Sequence, residues 1–262
     1  MDSFIEFENI SKKFDDEYVL NQINLIINKG EFVVLLGESG SGKTTLLRLM
    51  NRLIEPDSGQ IKIQGENIQG MDPILLRRKI GYVIQQTGLF PHLTVRENIT
   101  YVLSLQKKSE TEKNEIANQL ITLMGLDSSY LDRYPSQLSG GEAQRIGVAR
   151  GFANNPDIIL MDEPFGAVDD INRRKLQMQL KELNQTLGKT IIFVTHDIRE
   201  AFYLGDQICI MQAGKLIQKG NAKELIEKPV NSYVSKFLGV SGYISQLSSE
   251  QIKEAYEFSQ SL

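Results

Sequence analysis

The sequence predicts an α/β domain with a helical lobe inserted into it. Two observations carry this. Short apolar runs rich in branched residues alternate with helical stretches at both ends of the chain, and the alternation stops across the middle third. The core is expected over 1–86 and 151–240, with the helical lobe at about 87–150.

The elements justify this in order. Phe4 to Phe7 and Asn21 to Ile27 alternate with period two and predict strands. Lys29-Gly30 then turns the chain into Phe32-Val33-Val34-Leu35-Leu36, an unbroken apolar run suited to a central strand covered on both faces. A glycine-rich loop leads into a helix predicted over Lys43 to Leu53, broken by Pro56, Ser58 and Gly59 before a strand at Gln60 to Ile63. Ile80 to Ile84 predicts another strand. Between Lys107 and Met124 the pattern is helical. Strands return at Asp157 to Met161, Thr190 to Thr195, Gln207 to Met211 and Lys215 to Gln218, with helices at Ile171 to Leu187 and from Ile198. The last twenty or so residues, about 241–262, form a polar tail with a weak apolar stripe at Ile244, Leu247, Ile252 and Tyr256.

Composition narrows the function. The 262 residues carry a net charge of −4, which gives no electrostatic grip on nucleic acid or anionic lipid. Arg77-Arg78-Lys79 is a local basic run, expected as a solvated face. Cys209 is the only cysteine, so no internal disulfide forms and zinc-ribbon spacing is absent; a buried strand position is expected for it. The start of the chain lacks the pattern of a secretory signal, and no apolar run approaches the ~20 residues that span a bilayer. A cytoplasmic protein that reaches a membrane through a partner is expected.

Gly37-Glu38-Ser39-Gly40-Ser41-Gly42-Lys43-Thr44, followed by Thr45, fits a phosphate-binding loop between strand and helix. Glycines let backbone N–H groups turn inward around a polyphosphate at the positive end of a helix. Lys43 can then reach the β- and γ-phosphates, and the Thr44 hydroxyl can ligate Mg²⁺. Asp157-Ile158-Ile159-Leu160-Met161-Asp162-Glu163 is the complement: an apolar strand ending in carboxylates. Asp162 is placed to hold Mg²⁺, directly or through water, and Glu163 to orient or deprotonate an attacking water. Such a pair fits many nucleotide hydrolases, kinases and switch GTPases.

Leu138-Ser139-Gly140-Gly141-Glu142, continuing to Arg150, distinguishes among them. It closely resembles the signature sequence of ABC ATPases, and physically it is a second helix-opening anion site with no lysine of its own. The resemblance covers nearly the whole chain. It implies a P-loop NTPase core with an antiparallel β subdomain and an inserted helical subdomain. Gln85 matches the family's Q-loop glutamine, a metal and water sensor, with Gln86 adjacent. Gly166-Ala167-Val168-Asp169 resembles the D-loop, with Val168 where many relatives carry Leu, and His196 matches the switch histidine. Phe14 falls where the family places an aromatic against adenine, with Tyr18 as its rival.

The resemblance further implies a head-to-tail homodimer with ATP held between one subunit's phosphate loop and the other's Ser139-Gly140-Gly141. Separate ATPase subunits without membrane spans are common in importers, which implies transmembrane permease subunits, a substrate-binding protein or domain, and residence on the cytoplasmic face of the cell membrane. Arg77 to Val95 resembles the corresponding segment of importers of quaternary amines such as glycine betaine, carnitine and choline, and Ile159-Leu160-Met161-Asp162-Glu163-Pro164-Phe165-Gly166-Ala167 agrees with that subgroup less exclusively. Many of those ATPases continue into CBS regulatory domains, which are not expected here. ABC ATPases acting on ribosomes carry two cassettes and those acting on chromosomes a long coiled coil; neither pattern is present, and no nucleic-acid partner is expected.

Overall fold

A computed structural model of the chain describes residues 3–85, 87–166 and 168–239. The tail expected over 241–262 lies outside the described residues. Within them two sheets form. One has four strands and the other six.

The chain begins with β1 (Ile5–Phe14) and β2 (Glu17–Ile27), an antiparallel pair longer than the alternation alone suggests. β3 (Phe32–Leu36) enters the second sheet and feeds α1 (Lys43–Met50). β4 (Ser58–Ile63) returns to pair with β1, and β5 (Glu66–Asn67) closes that antiparallel sheet. A short helix, α2 (Pro73–Lys79), precedes β6 (Ile80–Val83). α2 has no periodicity to betray it, but Asp72 accepts hydrogen bonds from the N–H groups of Ile74 (2.8 Å) and Leu75 (2.9 Å), and Pro73 opens it. The basic run Arg77-Arg78-Lys79 is its last turn, where cations complement the helix dipole.

α3 (Val95–Leu105), α4 (Glu110–Leu123) and α5 (Gly140–Phe152) make up the helical stretch between β6 and β7. Each starts at a capping box written in the sequence: Thr94 with Glu97, Ser109 with Glu112, Ser139 with Glu142. Buried Asn98 fixes the turn before α3, donating to the carbonyls of Phe90, Leu93 and Thr94 and accepting from the Phe90 N–H.

The α/β alternation resumes with β7 (Ile158–Asp162), α6 (Asp170–Leu187), β8 (Thr190–Thr195), α7 (Ile198–Leu204), β9 (Gln207–Gln212) and β10 (Lys215–Gly220). α8 (Ala222–Glu227) and α9 (Ser232–Phe237) follow, both too short to announce themselves by periodicity. β6, β7, β8, β3 and β9 are parallel, and β10 turns back antiparallel to β9.

Every residue of β3, β7 and β8 is buried, as unbroken apolar runs require in a sheet covered on both faces. The period-two rule divides them between two cores. Phe32, Val34, Leu36, Ile159, Met161, Ile191 and Phe193 face the helical stretch and α6. Val33, Leu35, Leu160, Ile192, Val194 and Cys209 face α1 and the antiparallel sheet. Cys209 is fully buried, and its thiol is pushed up to about 12 by that burial. This layering sets the C-terminal ends of β3, β7 and β8 side by side, where ligands bind in open α/β sheets.

Candidate functional site

The loop after β3 is shaped by its glycines. Gly42 takes φ 99° and forms the N-cap of α1; a Cβ there would meet the Val19 carbonyl at 2.7 Å as well as the Leu20 side chain. The loop encloses the Lys43 ammonium, which donates to the carbonyls of Gly37 (2.8 Å) and Glu38 (2.7 Å) and to Ser41 Oγ (3.2 Å). Lys43 is 5% exposed, and burial draws its pKa below the ordinary lysine range against the opposing pull of Glu163, Asp162 and Glu38. A cation held in a ring of its own loop's acceptors is poised to exchange them for phosphate oxygens.

β7 delivers the carboxylates. Asp162 accepts the Thr44 hydroxyl at 2.9 Å, which joins the first turn of α1 to the end of β7. Burial pushes the Asp162 carboxyl up, Glu163 adds to this, and the Thr44 hydrogen bond opposes it. Glu163 sits just past the strand at φ 43°, its N–H donating to the Val194 carbonyl at 3.0 Å. In this left-handed conformation its carboxylate stands between two neighbours: Gln85 Nε2 donates to Oε2 at 3.3 Å, and His196 Nδ1 lies 3.4 Å from Oε1. Thus three strand ends, β6, β7 and β8, each contribute one polar side chain to a single cluster.

A cavity of about 550 Å³ connects these groups. It is lined by Val19, Glu38, Ser39, Gly40, Gly42 to Thr45, Gln85, Glu163 and His196. Gly37 and Ser41 are not among the residues lining it. The segment after Gln85 is fastened to α5, because Arg150 donates to the carbonyls of Thr87 (2.9 Å) and Gly88 (2.8 Å). Val19 lines the cavity and Arg150 anchors residues 87 and 88; the sequence alone marks neither for these places. Val19 has no polar signature to find it by, and the role of Arg150 depends on a contact 63 residues distant.

Other expected residues stand apart from this cavity. Ser139, Gly140 and Gly141 open α5, with Ser139 Oγ accepting the Glu142 N–H (3.3 Å) and Glu142 accepting the Ser139 N–H (2.7 Å). Tyr130 OH holds the other Glu142 oxygen at 2.7 Å. Asp169 is the N-cap of α6, accepting the Asn172 N–H at 3.1 Å. None of these four lines the cavity of their own chain. A second helix start of the kind that can bind an anion is thus exposed and stands apart from its own chain's phosphate loop.

Phe14 and Tyr18 have different neighbours on the antiparallel sheet. Lys12, the register partner of Leu20, lies with its ammonium 5.5 Å from the Phe14 ring centroid; Lys13, the partner of Tyr18, lies 4.5 Å from that ring. The register shifts between these two pairs, so strict alternation along β2 does not hold here. By the pairings, Phe14 keeps to the side of Lys12 and Leu20, which packs on Gly42 of the phosphate loop, and Tyr18 to the side of Lys13. Both rings are exposed and neither lines the cavity itself.

The donor set fits Mg²⁺. Thr44 and Asp162 offer hard oxygens beside the phosphate loop, and among the described residues no cluster of three or more His, Cys, Asp or Glu could cage a metal unaided. Mg²⁺ is commonly held in this way, by one or two protein oxygens plus substrate phosphates.

Residues 20–166 match the family described as ABC transporter. The chain is 51% identical over 236 residues to the glycine betaine/carnitine/choline transport ATP-binding protein OpuCA of Bacillus subtilis (strain 168), covering 90% of this chain and 62% of that one. It is 46% identical over 235 residues to the glycine betaine uptake system ATP-binding protein YehX of Escherichia coli (strain K12), covering 90% and 76%. The chain spans about three fifths of the length of the first curated relatives it matches. Its fold superposes with a TM-score of 0.76 and 36% identity on the dimeric, post-hydrolysis ATP-binding cassette MJ0796 bound to ADP and Pi, covering 83% of this chain and 98% of that one. With the family matched across 20–166 and relatives this similar, the chain belongs to the ABC transporter family.

Proposed function

We propose that this chain binds and hydrolyses ATP as a homodimer and so powers a membrane importer of quaternary amines such as glycine betaine, carnitine or choline. The observation that carries the ATPase reading is the Glu163 carboxylate, held between Gln85 and His196 at the edge of the cavity that contains Lys43. The substrate class rests on the names of relatives about half identical to this chain.

Lys43 leaves the Gly37 and Glu38 carbonyls for the β- and γ-phosphates, while the loop N–H groups and the start of α1 surround the anion. Thr44 and Asp162 would hold Mg²⁺, which when bound would neutralise charge on the β- and γ-phosphates. Gln85 would lie within reach of the metal and the attacking water, and Phe14 would stack on adenine. Glu163 accepts the proton of the attacking water, with Gln85 and His196 fixing its two oxygens. His196 also faces the γ-phosphate. Ser139, Gly140 and Gly141 of the second subunit complete the site, and a two-fold axis makes two such sites from one kind of chain. ATP favours the closed dimer because only that state offers both anion sites; cleavage removes the bridging charge and releases it.

The core over 1–86 and 151–240 acts as the nucleotide module, and the helical unit at about 87–150 brings the signature to the partner. Motion passes to the permease through the segment 87–101. A groove of about 320 Å³ beside it is lined by Arg77, Arg78, Tyr82, Phe90 and Tyr101, which suits a protruding permease segment. Among the described residues no helix is long and apolar enough to cross a membrane, in keeping with attachment at the cytoplasmic face through that permease. A substrate-binding protein or domain would present the amine on the far side.

The test is affinity capture of the tagged chain from detergent-solubilised host membranes, followed by reconstitution with whatever multi-span protein is recovered. Mg²⁺-dependent ATP hydrolysis coupled to uptake of labelled glycine betaine, carnitine or choline is expected. Recovery of ribosomes or chromosome proteins in place of a permease would overturn the transport role, and uptake of an unrelated solute alone would overturn the substrate class.

A further inference from the structure

Behind the Glu163–His196 pair lies a smaller cavity of about 80 Å³, lined in part by Glu163, Gly166, Arg173, Thr195, His196 and Glu200. Glu200 has no place in the chemistry described above, yet it is a carboxylate only 7% exposed. Burial raises its pKa above the ordinary carboxylate range, opposed by the hydrogen bond from Thr195. Keeping an ionisable group in such surroundings carries a desolvation cost.

Glu200 is the third residue of α7, and Asp197 is the N-cap. An acidic residue three places after the cap ordinarily reaches back to the N-cap N–H. Here it does not. The Thr195 hydroxyl accepts the Asp197 N–H at 3.0 Å and donates to Glu200 Oε2 at 2.6 Å. The residues on both sides of His196 are thereby tied into one chain of bonds ending on Glu200. Its other oxygen, Oε1, accepts from Gln177 Nε2 at 3.3 Å and lies 3.9 Å from Arg173 Nε. Arg173 in turn donates to the Val168 carbonyl at 3.0 Å, in the turn that leads to Asp169.

We propose that Glu200 is a positioning residue: through Thr195 it sets His196 against Glu163, and through Arg173 it links that pair to Val168 and the start of α6. The inference deepens the ATPase reading and rests on it for its kinetic consequence. Its geometric core, control of His196 by Glu200 and Thr195, can be read without turnover.

The test uses the full chain and the variants Thr195→Val, Glu200→Ala and Glu200→Gln. The protein has two histidines, so the imidazole cross-peaks of His196 are separable by NMR from those of His92, which is remote in sequence and lines neither cavity. In Thr195→Val and Glu200→Ala the His196 cross-peaks should shift while those of His92 stay in place. The kcat for ATP should fall about 10-fold with KM within about twofold, the pattern of an interaction made at the transition state. Glu200→Gln, which can still accept from Thr195, should retain kcat to within about threefold. Thr195→Val preserves shape if Glu200→Ala folds poorly. Unmoved His196 cross-peaks in Thr195→Val overturn the proposal, as does a loss in kcat equal in the Ala and Gln variants. If the wild-type chain hydrolyses no ATP, the functional reading fails, and the His196 cross-peaks alone decide on Glu200.

Discussion

Thr44 and Asp162, 118 residues apart, meet in a 2.9 Å hydrogen bond from the threonine hydroxyl to the carboxylate. This bond closes the gap between the first turn of α1 and the end of β7, and it partly offsets the cost of burying Asp162. The site is therefore organised before any ligand arrives, with a charge set where water is scarce.

That charge has a consequence for stability. The folded Asp162 carboxyl titrates above its ordinary value, so the folded chain binds this proton more tightly than the unfolded chain does. Its ionised form then destabilises the ligand-free fold at neutral pH, and the deficit vanishes as pH falls through the raised value toward the unfolded one. Asp162→Asn should melt higher than wild type at pH 8 without nucleotide, with the difference shrinking in acid, while Mg²⁺-dependent hydrolysis falls by about 10²-fold or more. Thermal melts across pH, set beside phosphate release, check both halves. A lower melting point at pH 8 would show that the carboxylate stabilises the empty protein.

Glu163 lines the same cavity as Lys43 and is approached by Gln85 and His196. Glu163→Gln should keep ATP affinity within about threefold, lower kcat by about 10² to 10³, and accumulate an ATP-bound dimer. Nucleotide binding, phosphate release and light scattering in ATP measure the three effects. Near-normal phosphate release would remove Glu163 from the role of base.

The parts legible in the sequence were those whose signal is local. The phosphate loop, the helix opening at Ser139-Gly140-Gly141 and the apolar run ending at Asp162 each occupy a few consecutive residues, and each element lies where the pattern puts it. What escaped was decided by contacts. α1 was expected to reach Leu53 but ends at Met50. Arg52 takes φ 47°, its N–H donates to the Leu49 carbonyl and the Leu53 N–H to the Arg48 carbonyl, which is a Schellman closure. Glycine usually marks such a stop. Arginine serves here because its guanidinium is held by Glu55 and the Ile68 carbonyl. Glu200 was hidden differently: Asp197-Ile198-Arg199-Glu200 has the spacing of an ordinary capping box, and only the fold brings Thr195 between its two ends.

In the proposed dimer, Ser139 would separate binding from closure. It caps α5 and lines no part of its own chain's cavity. Ser139→Arg should leave ATP affinity of the single chain within about twofold and abolish the ATP-dependent dimer of the Glu163→Gln background, since a bulky cation fills the space offered to the partner's γ-phosphate. Losing the cap should also cost about 1 kcal/mol of stability. Ser139→Ala, which carries that cost without the bulk, is the control, measured by thermal melt and sedimentation. Normal dimerisation of the Arg variant would put the signature outside the shared site.

A nucleobase contact would discriminate between two rings that look equivalent in the sequence. Phe14 keeps to the side of Leu20, which packs on the phosphate loop, and Tyr18 to the side of Lys13. Stacking of a base on an aromatic ring contributes about 1–3 kcal/mol, so Phe14→Ala should weaken ATP binding by about 10-fold or more, and Tyr18→Ala by less than about twofold. The comparison is best made with ATP and with inorganic triphosphate in parallel. A stacking role predicts that Phe14→Ala weakens ATP alone and leaves triphosphate affinity unchanged. Equal loss for both ligands would mean that the ring supports the loop through Leu20 and Gly42 and touches no base.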